Sequence, residues 1–404
     1  MKSLFIKNIC LTSIFFYFTL QAIENSLLAV VLMVKNEESV IINTLRSYSD
    51  QGLTHFLVFD TGSEDKTVQL VKNFFETNKN IIGVLLQEPF IDFSTSRNHA
   101  LDEAEKIFPD AQFLLMPDAE WYLHNGQELI DFCKDQYNLD SEAYLVRLIG
   151  ERLDFYTPRL IRRKSGVRFC GPVHEATDRV ISLKVPQDIF FKLKVGKSGI
   201  QKSAQRWHRD LEILLKEYEK KPHDPRTLFY IGQTYECLGE LKKAFDFYEK
   251  RRTQSGSYEE SFETLYRLGR VTNILAATDT SFTWEQAFNY YIQAYTLMPH
   301  RAEPLVAIAD HYWPSCIPLC FLFARRAVEL PYPTNDTLFI DKALYEYDRY
   351  ELLSRCAWHV GEYEIGEYAT RMALGVRETS HLYHNLAYYL GSIDQQKSNK
   401  NTIN

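Results

Sequence analysis

"LLAVVLMVKNEESVIINTLRSYS", residues 27–49, opens on an unbroken apolar run, turns on charged and polar residues, and continues with apolar residues at helical spacing. An apolar run of strand length without polar alternation suits a strand buried on both faces, and the amphipathic stretch behind it suits a crossover helix. The pair of patterns repeats downstream. "HFLVFD" (55–60) leads through the turn "TGSEDKT" to the helical "VQLVKNFFETN" (68–78), and "IIGVLLQ" (81–87) precedes the helical "TSRNHALDEAEKIF" (95–108). "AQFLLM" (111–116) is a fourth strand. This alternation predicts an α/β domain with a parallel sheet covered on both sides, its strands' carboxyl ends along one edge.

Ligands of open α/β sheets bind outside that edge. It carries Lys35, Asn36, Glu37 and Glu38 after the first strand, Asp60 after the second, Glu88 after the third, and Asp118 with Glu120 after the fourth. Neither GxGxxG nor GxxxxGK[ST] occurs, which argues against a dinucleotide dehydrogenase and a P-loop ATPase. An acidic crevice repels a bare diphosphate unless a divalent cation bridges the two. Two carboxylates one residue apart in "MPDAEWYL" suit a hard cation that shares its oxygen ligands with phosphates. Glu37, Glu38 and Glu64 read more plainly as caps or solvated turn residues, and Asp60 also fits as the organiser of its turn. Asp118 and Glu120 end an apolar strand beside Trp121, so the ligand role is the stronger reading there.

A chain of 404 residues predicts two domains, and 45% hydrophobic with 25% charged residues indicates a folded one. A net charge of -7 leaves no electrostatic footprint for nucleic acid. Seven scattered cysteines form no CxxC pair or zinc spacing and read as buried thiols. Lys2 and Lys7 precede the apolar "ICLTSIFFYFTL", the layout of a signal peptide or membrane anchor over residues 1–25, with Ala22 as a cleavage point. That segment points to the secretory pathway or a membrane, with a cytoplasmic chain as the alternative.

"MVKNEESVIINTLRSY", "VFDTGSEDKTVQLV", "STSRNHALDEA" and "PDAEWYL", in this order and spacing, resemble a family 2 glycosyltransferase of the GT-A fold. "FCGPVHEA" (169–176) is similar to the segment found in members with a helical repeat tail. The resemblance implies a Rossmann-like nucleotide-sugar-binding domain over residues 26–205. It also implies inverting transfer from a nucleotide sugar, taken here as UDP-linked, with Mn²⁺ or Mg²⁺ and a glycan, lipid or protein acceptor. By the same resemblance Asp60 contacts the donor's base, and Arg97 and Asn98 line the diphosphate side. Asp118 and Glu120 stand for the two acids of the D-x-D motif, with Glu where Asp is commoner and Trp121 where a further acid often sits. Lys35, Asn36 and Glu37 join the donor side.

A single displacement needs a group that takes the acceptor's proton, and a carboxylate or histidine serves. The resemblance implies Glu175 as base and His174 as a donor-site or metal contact. If "GPVHEA" is extended, the two side chains point to opposite faces. "YLVRLIGERLDFYTPRLIRR" (144–163) reads as acceptor-side hairpins whose arginines face the acidic crevice.

From residue 206 the period is helical. Leu228, Ile231, Gly232, Tyr235, Gly239, Ala244 and Tyr248 stand at the spacings of a tetratricopeptide repeat. The frame returns at Leu268, Gly269, Ala287, Tyr291 and Ala294, at Ile308, Ala309 and Ala327, and more faintly at Leu353, Gly366 and Ala373. Arg251 departs from it by occupying a usually small position. An all-α TPR-like solenoid is therefore expected over 206–395, suited to a protein partner or to self-association, with a disordered tail at 396–404. The rival reading is a non-catalytic repeat scaffold with a degenerate transferase domain. The sequon Asn335-Asp336-Thr337 matters only in a glycosylating compartment.

Overall fold

A computed structural model of the protein describes residues 27–194 and 197–403; the expected signal or anchor segment lies outside them. The chain divides into two compact units, the first ending at Arg206 and the second comprising Glu151–Phe155 together with the chain from Trp207.

The first unit alternates as β1 (Leu28–Val34), α1 (Ile41–Ser49), β2 (His55–Asp60), α2 (Thr67–Thr77), β3 (Ile82–Gln87), α3 (Phe93–Ile107) and β4 (Phe113–Leu115). There follow β5 (Trp121–His124), α4 (Gly126–Asp135), β6 (Ala143–Ile149), β7 (Leu153–Arg162), β8 (Phe169–Cys170), β9 (Ala176–Thr177) and β10 (Phe190–Leu193). The sheet order is β3-β2-β1-β4-β7-β6-β10-β5. β3, β2, β1 and β4 are parallel, as the apolar runs imply, and β7 pairs antiparallel with β4. The sheet is thus mixed, not wholly parallel, because only a short turn separates β6 from its neighbour β7, so the chain reverses there and runs back beside β4. β1 and β4 are central and buried, whereas β3 is an edge strand with half-exposed side chains. On one face Ala29, Val31, Leu57 and Leu114 pack against Ala100, Leu101 and Ala104 of α3, with Phe169 in the same cluster.

Local chemistry sets the ends of these helices. Asp92 caps α3 by accepting the Thr95 N–H at 2.8 Å. Asp224 with Pro225 begins the helix Pro225–Cys237 in the same way, and Thr283 with Gln286 forms a capping box at the helix Trp284–Leu297.

The helical part comprises α5 (Lys197–Lys220), within which the units divide, then α6 (Pro225–Cys237), α7 (Leu241–Arg252), α8 (Tyr258–Ala276) and α9 (Trp284–Leu297). α10 (Glu303–Tyr312), α11 (Ile317–Glu329), α12 (Arg349–Cys356), α13 (Tyr363–Val376) and α14 (Ser380–Ile403) complete it. From α6 onward each helix packs against the next in chain order, the TPR-like arrangement expected of a solenoid. Small residues let the partners approach: Gly232 lies against the Tyr248 ring and Gly269 against Tyr291. Arg251 is fully buried, donating to Gln254 O at 3.1 Å with Glu260 Oε2 at 3.8 Å, which offsets its charge. Residues 396–403, expected to form a disordered tail, continue the backbone of α14. Within this second unit Ile340 pairs with Asp154, Tyr332 donates to Asp154, and Arg152 reaches Asp341 and Asp348, both at 2.7 Å. No helix among the described residues is long and apolar enough to cross a membrane.

Candidate functional site

The acidic turn after β4 is held from two sides. Met116 N–H donates to Arg159 O at 2.8 Å, continuing the β4–β7 alignment. The Thr44 hydroxyl of α1 donates to Ala119 O, and the Tyr48 hydroxyl donates to Trp121 O at 2.7 Å. Asp118 and Glu120 therefore sit on a turn fixed by a buried helix face. The β8–β9 turn is tied down separately. Asn98 bonds both ways to the Phe169 backbone, at 2.9 and 2.8 Å, and Phe93 N–H donates to Pro172 O at 3.2 Å.

These two turns bring four charged side chains together. Arg97 donates through Nε to Glu175 Oε1 and through Nη2 to Asp118 Oδ1. Arg159, on β7, places Nη2 3.5 Å from Glu175 Oε1 and 3.9 Å from Asp118 Oδ2. Its guanidinium lies 5.1 Å from the Trp121 ring centroid and 5.4 Å from that of Phe169. The side chains of Arg97, Arg159 and Glu175 are 4, 8 and 8% exposed, whereas Asp118 is 38% exposed and opens the cluster to solvent. Burial by itself would raise the Glu175 carboxyl, but Arg97 and Arg159 outweigh it and hold it at about 2. Burial would lower the Arg97 guanidinium, yet Asp118 and Glu175 keep it above its ordinary range. Burial, with Arg97 beside it, draws Arg159 downward. Arg97 Nη1 and Arg159 Nε are buried without a hydrogen-bond partner.

The other expected site residues lie apart from this quartet or are engaged locally. Asp60 is fully buried and accepts the Ser63 N–H at 3.2 Å, with Gly62 N and Gln87 Nε2 at 3.4 Å, the bonding of a turn organiser. Asn36, at φ 58°, exchanges bonds with the same loop: its N–H donates to Ser63 Oγ and its Oδ1 accepts from Glu64 N–H, each at 2.8 Å. Glu37 N–H donates to Thr67 Oγ1 at 2.7 Å, and Lys35 is exposed. The Asn98 amide is committed to Phe169, as described. "GPVHEA" is a turn and not an extended segment: Gly171 and His174 take φ of 97° and 49°, leaving His174 exposed and the Glu175 side chain buried. For a histidine that conformation is uncommon and marks a constrained turn.

Of the arginines expected to face the acids, Arg159 does so. Arg162 and Arg163 donate to carbonyl oxygens of Ser141 and Ala111, and Arg152 belongs to the second unit. Sequence reading had no means to single out Arg159.

Among the described residues no group of three or more His, Cys, Asp or Glu is arranged to hold a metal ion. The described residues therefore build no all-protein cation cage. Asp118, 38% exposed, and Glu120 on the same turn could serve only the other mode, in which one or two carboxylates bind a Mg²⁺-like ion that takes its remaining ligands from water and substrate phosphate.

Residues 29–108 match the family model described as Glycosyl transferase family 2, which bears out the resemblance over that stretch. The chain is 24% identical over 228 residues to SPbeta prophage-derived glycosyltransferase SunS of Bacillus subtilis (strain 168), and equally to glycosyltransferase SunS of Bacillus phage SPbeta. Each match covers 54% of this chain and 51% of the relative, so the chain spans about half the length of the curated relatives it matches. Among solved structures, the C-terminal part of a TPR repeat-containing protein from Cytophaga hutchinsonii is similar with a TM-score of 0.37 and 12% identity, over 49% of this chain and 70% of that one. MamA from Desulfovibrio magneticus RS-1 gives 0.32 and 15%, over 46% and 100%.

Proposed function

We propose that the first unit transfers a sugar from a nucleotide-sugar donor, UDP-linked, to an acceptor hydroxyl or equivalent nucleophile by a single inverting displacement. The observation that carries this reading is the convergence of Arg97, Asp118 and Glu175 at the carboxyl edge of the parallel strands, with Arg97 inside the stretch that matches family 2. The four charged side chains there balance one another. A diphosphate would add negative charge that they cannot offset; Asp118 and Glu120 are the residues that would hold Mn²⁺ or Mg²⁺, which would supply the missing positive charge.

Arg97 stabilises the charge that develops on the departing diphosphate. Glu175 accepts the acceptor's proton as the new glycosidic bond forms and the bond to phosphate breaks. Held ionised by two arginines, it is unprotonated throughout the neutral range. His174, exposed beside it, is the second candidate for the proton. The TPR-like helices are the part of the chain suited to a protein partner, a protein acceptor or self-association.

Two measurements test this. A panel of nucleotide sugars assayed for release of nucleoside diphosphate, with and without Mn²⁺, should show turnover of at least one donor. UDP with Mn²⁺ should raise the melting temperature of the wild type but not of Asp118→Asn. Equal stabilisation of both would remove Asp118 from the cation site. Absence of nucleotide binding and of turnover would make the non-catalytic repeat scaffold the better reading.

A further inference from the structure

The geometry points to Arg159 as a positioning residue for Glu175, a role that rests on the transfer reading and that no sequence block assigns. Arg97 alone already bonds both carboxylates. A second buried guanidinium beside it adds repulsion and desolvation, and a residue needed only for packing between two rings would be apolar. Arg159 is instead charged and 8% exposed, and its guanidinium lies over the rings of Trp121 and Phe169, 5.1 and 5.4 Å from their centroids. Its Nη2 approaches the same Glu175 oxygen that Arg97 Nε bonds, at 3.5 Å, so that oxygen is gripped from two directions. Its backbone carbonyl accepts the Met116 N–H, which ties it to the strand that leads into the Asp118 turn. Arg159 therefore links the acid expected on the donor side to the carboxylate expected on the acceptor side. The unpartnered Arg97 Nη1 and Arg159 Nε leave buried N–H donors that packing alone does not account for.

The test uses the full chain and the donor that the wild type turns over fastest. Arg159→Met keeps volume between the rings but removes charge and fork. It should lower kcat by at least about tenfold, with donor KM little changed, since misplacing a reacting group by 1 Å can cost about a hundredfold. Arg159→Lys should restore part of the loss. In a Glu175→Gln background, Arg159→Met should have almost no further effect, because Arg159 acts through Glu175. A normal kcat in Arg159→Met, a loss confined to KM, or full additivity with Glu175→Gln would each overturn the assignment. If the wild type turns over no donor, the transfer reading fails separately, and crystal structures of the wild type and Arg159→Met decide the positioning. The Glu175 carboxylate should shift away from its place against Arg97 in the variant, and an unmoved carboxylate would overturn the proposal.

Discussion

Glu175 is an acid whose charge state is set by residues far from it in sequence: Arg97 stands 78 positions earlier, and Arg159 is on another strand. Its carboxyl lies near 2 in the folded chain, against about 4.3 for a free glutamate. A depressed value means that its charge stabilises the fold fully above the unfolded value, and that this contribution is lost as pH falls through the folded one. Over that window, from about pH 4.5 to about pH 2, up to roughly 3 kcal/mol disappears. Glu175→Gln has no such dependence, so the wild-type advantage in melting temperature should be widest near neutrality and shrink below about pH 4.5. Parallel stability curves would mean that the arginines contribute nothing through this group. At neutral pH the same variant should keep UDP affinity, measured by titration, and lose transfer by a factor of about 10² to 10⁴ if Glu175 is the base. An active Glu175→Gln beside an inactive His174→Ala would give that role to His174. The residue types of this site were legible because strand-end acids and the "SRN" block stand out locally. Their partners were not. Asn98 matches a donor-side position by resemblance, and its amide also exchanges two hydrogen bonds with the Phe169 backbone, a pairing between residues 71 apart.

At the scale of the element, a glycine in one helix recurs against a tyrosine in the next. A Cβ on Gly232 would stand 2.7 Å from the Tyr248 ring, one on Gly269 would stand 2.6 Å from Tyr291, and Gly366 meets Tyr389 in the same way. Gly232→Ala should therefore destabilise the helical unit by about 1–3 kcal/mol through overpacking, less the ~1 kcal/mol that alanine gains in helix propensity. Gly375, in α13, has nothing within 4 Å of such a Cβ, so Gly375→Ala should be neutral or stabilising. Thermal melts followed by far-ultraviolet circular dichroism check both, and equal behaviour of the two variants would show that the close approach does not matter. The positions of Gly232, Tyr248, Gly269 and Tyr291 follow from the repeat's helical spacing, whereas Tyr389 lies outside the frame that the sequence shows. Arg251 broke the pattern, and no spacing rule could foresee its burial beside Glu260, which depends on where α8 begins.

The whole molecule has two units, and Glu151–Phe155 of the β6–β7 hairpin belong with the helical one. An isolated fragment of residues 207–395 should still show helical circular dichroism, since stacked helices contact chiefly their neighbours. Its segment 331–348 should be cut by protease faster than in the full chain. There Tyr332 and Ile340 lack Asp154, and Asp341 and Asp348 lack Arg152. Equal protection would mean that the hairpin tip contributes nothing, and absence of helix would mean that the unit does not fold alone. The alternation of buried strands with amphipathic helices, the change to helical period after residue 205 and the placement of acids at strand ends all follow from local spacing, so the sequence by itself determined the two-part architecture and the edge at which the candidate site was sought. Pairing across long stretches of chain obeys no local period. The antiparallel return of β7, the meeting of Arg159 with Glu175 and the bond from Tyr332 to Asp154, 178 residues away, exist only where packing brings distant segments together, and tertiary structure alone decided them.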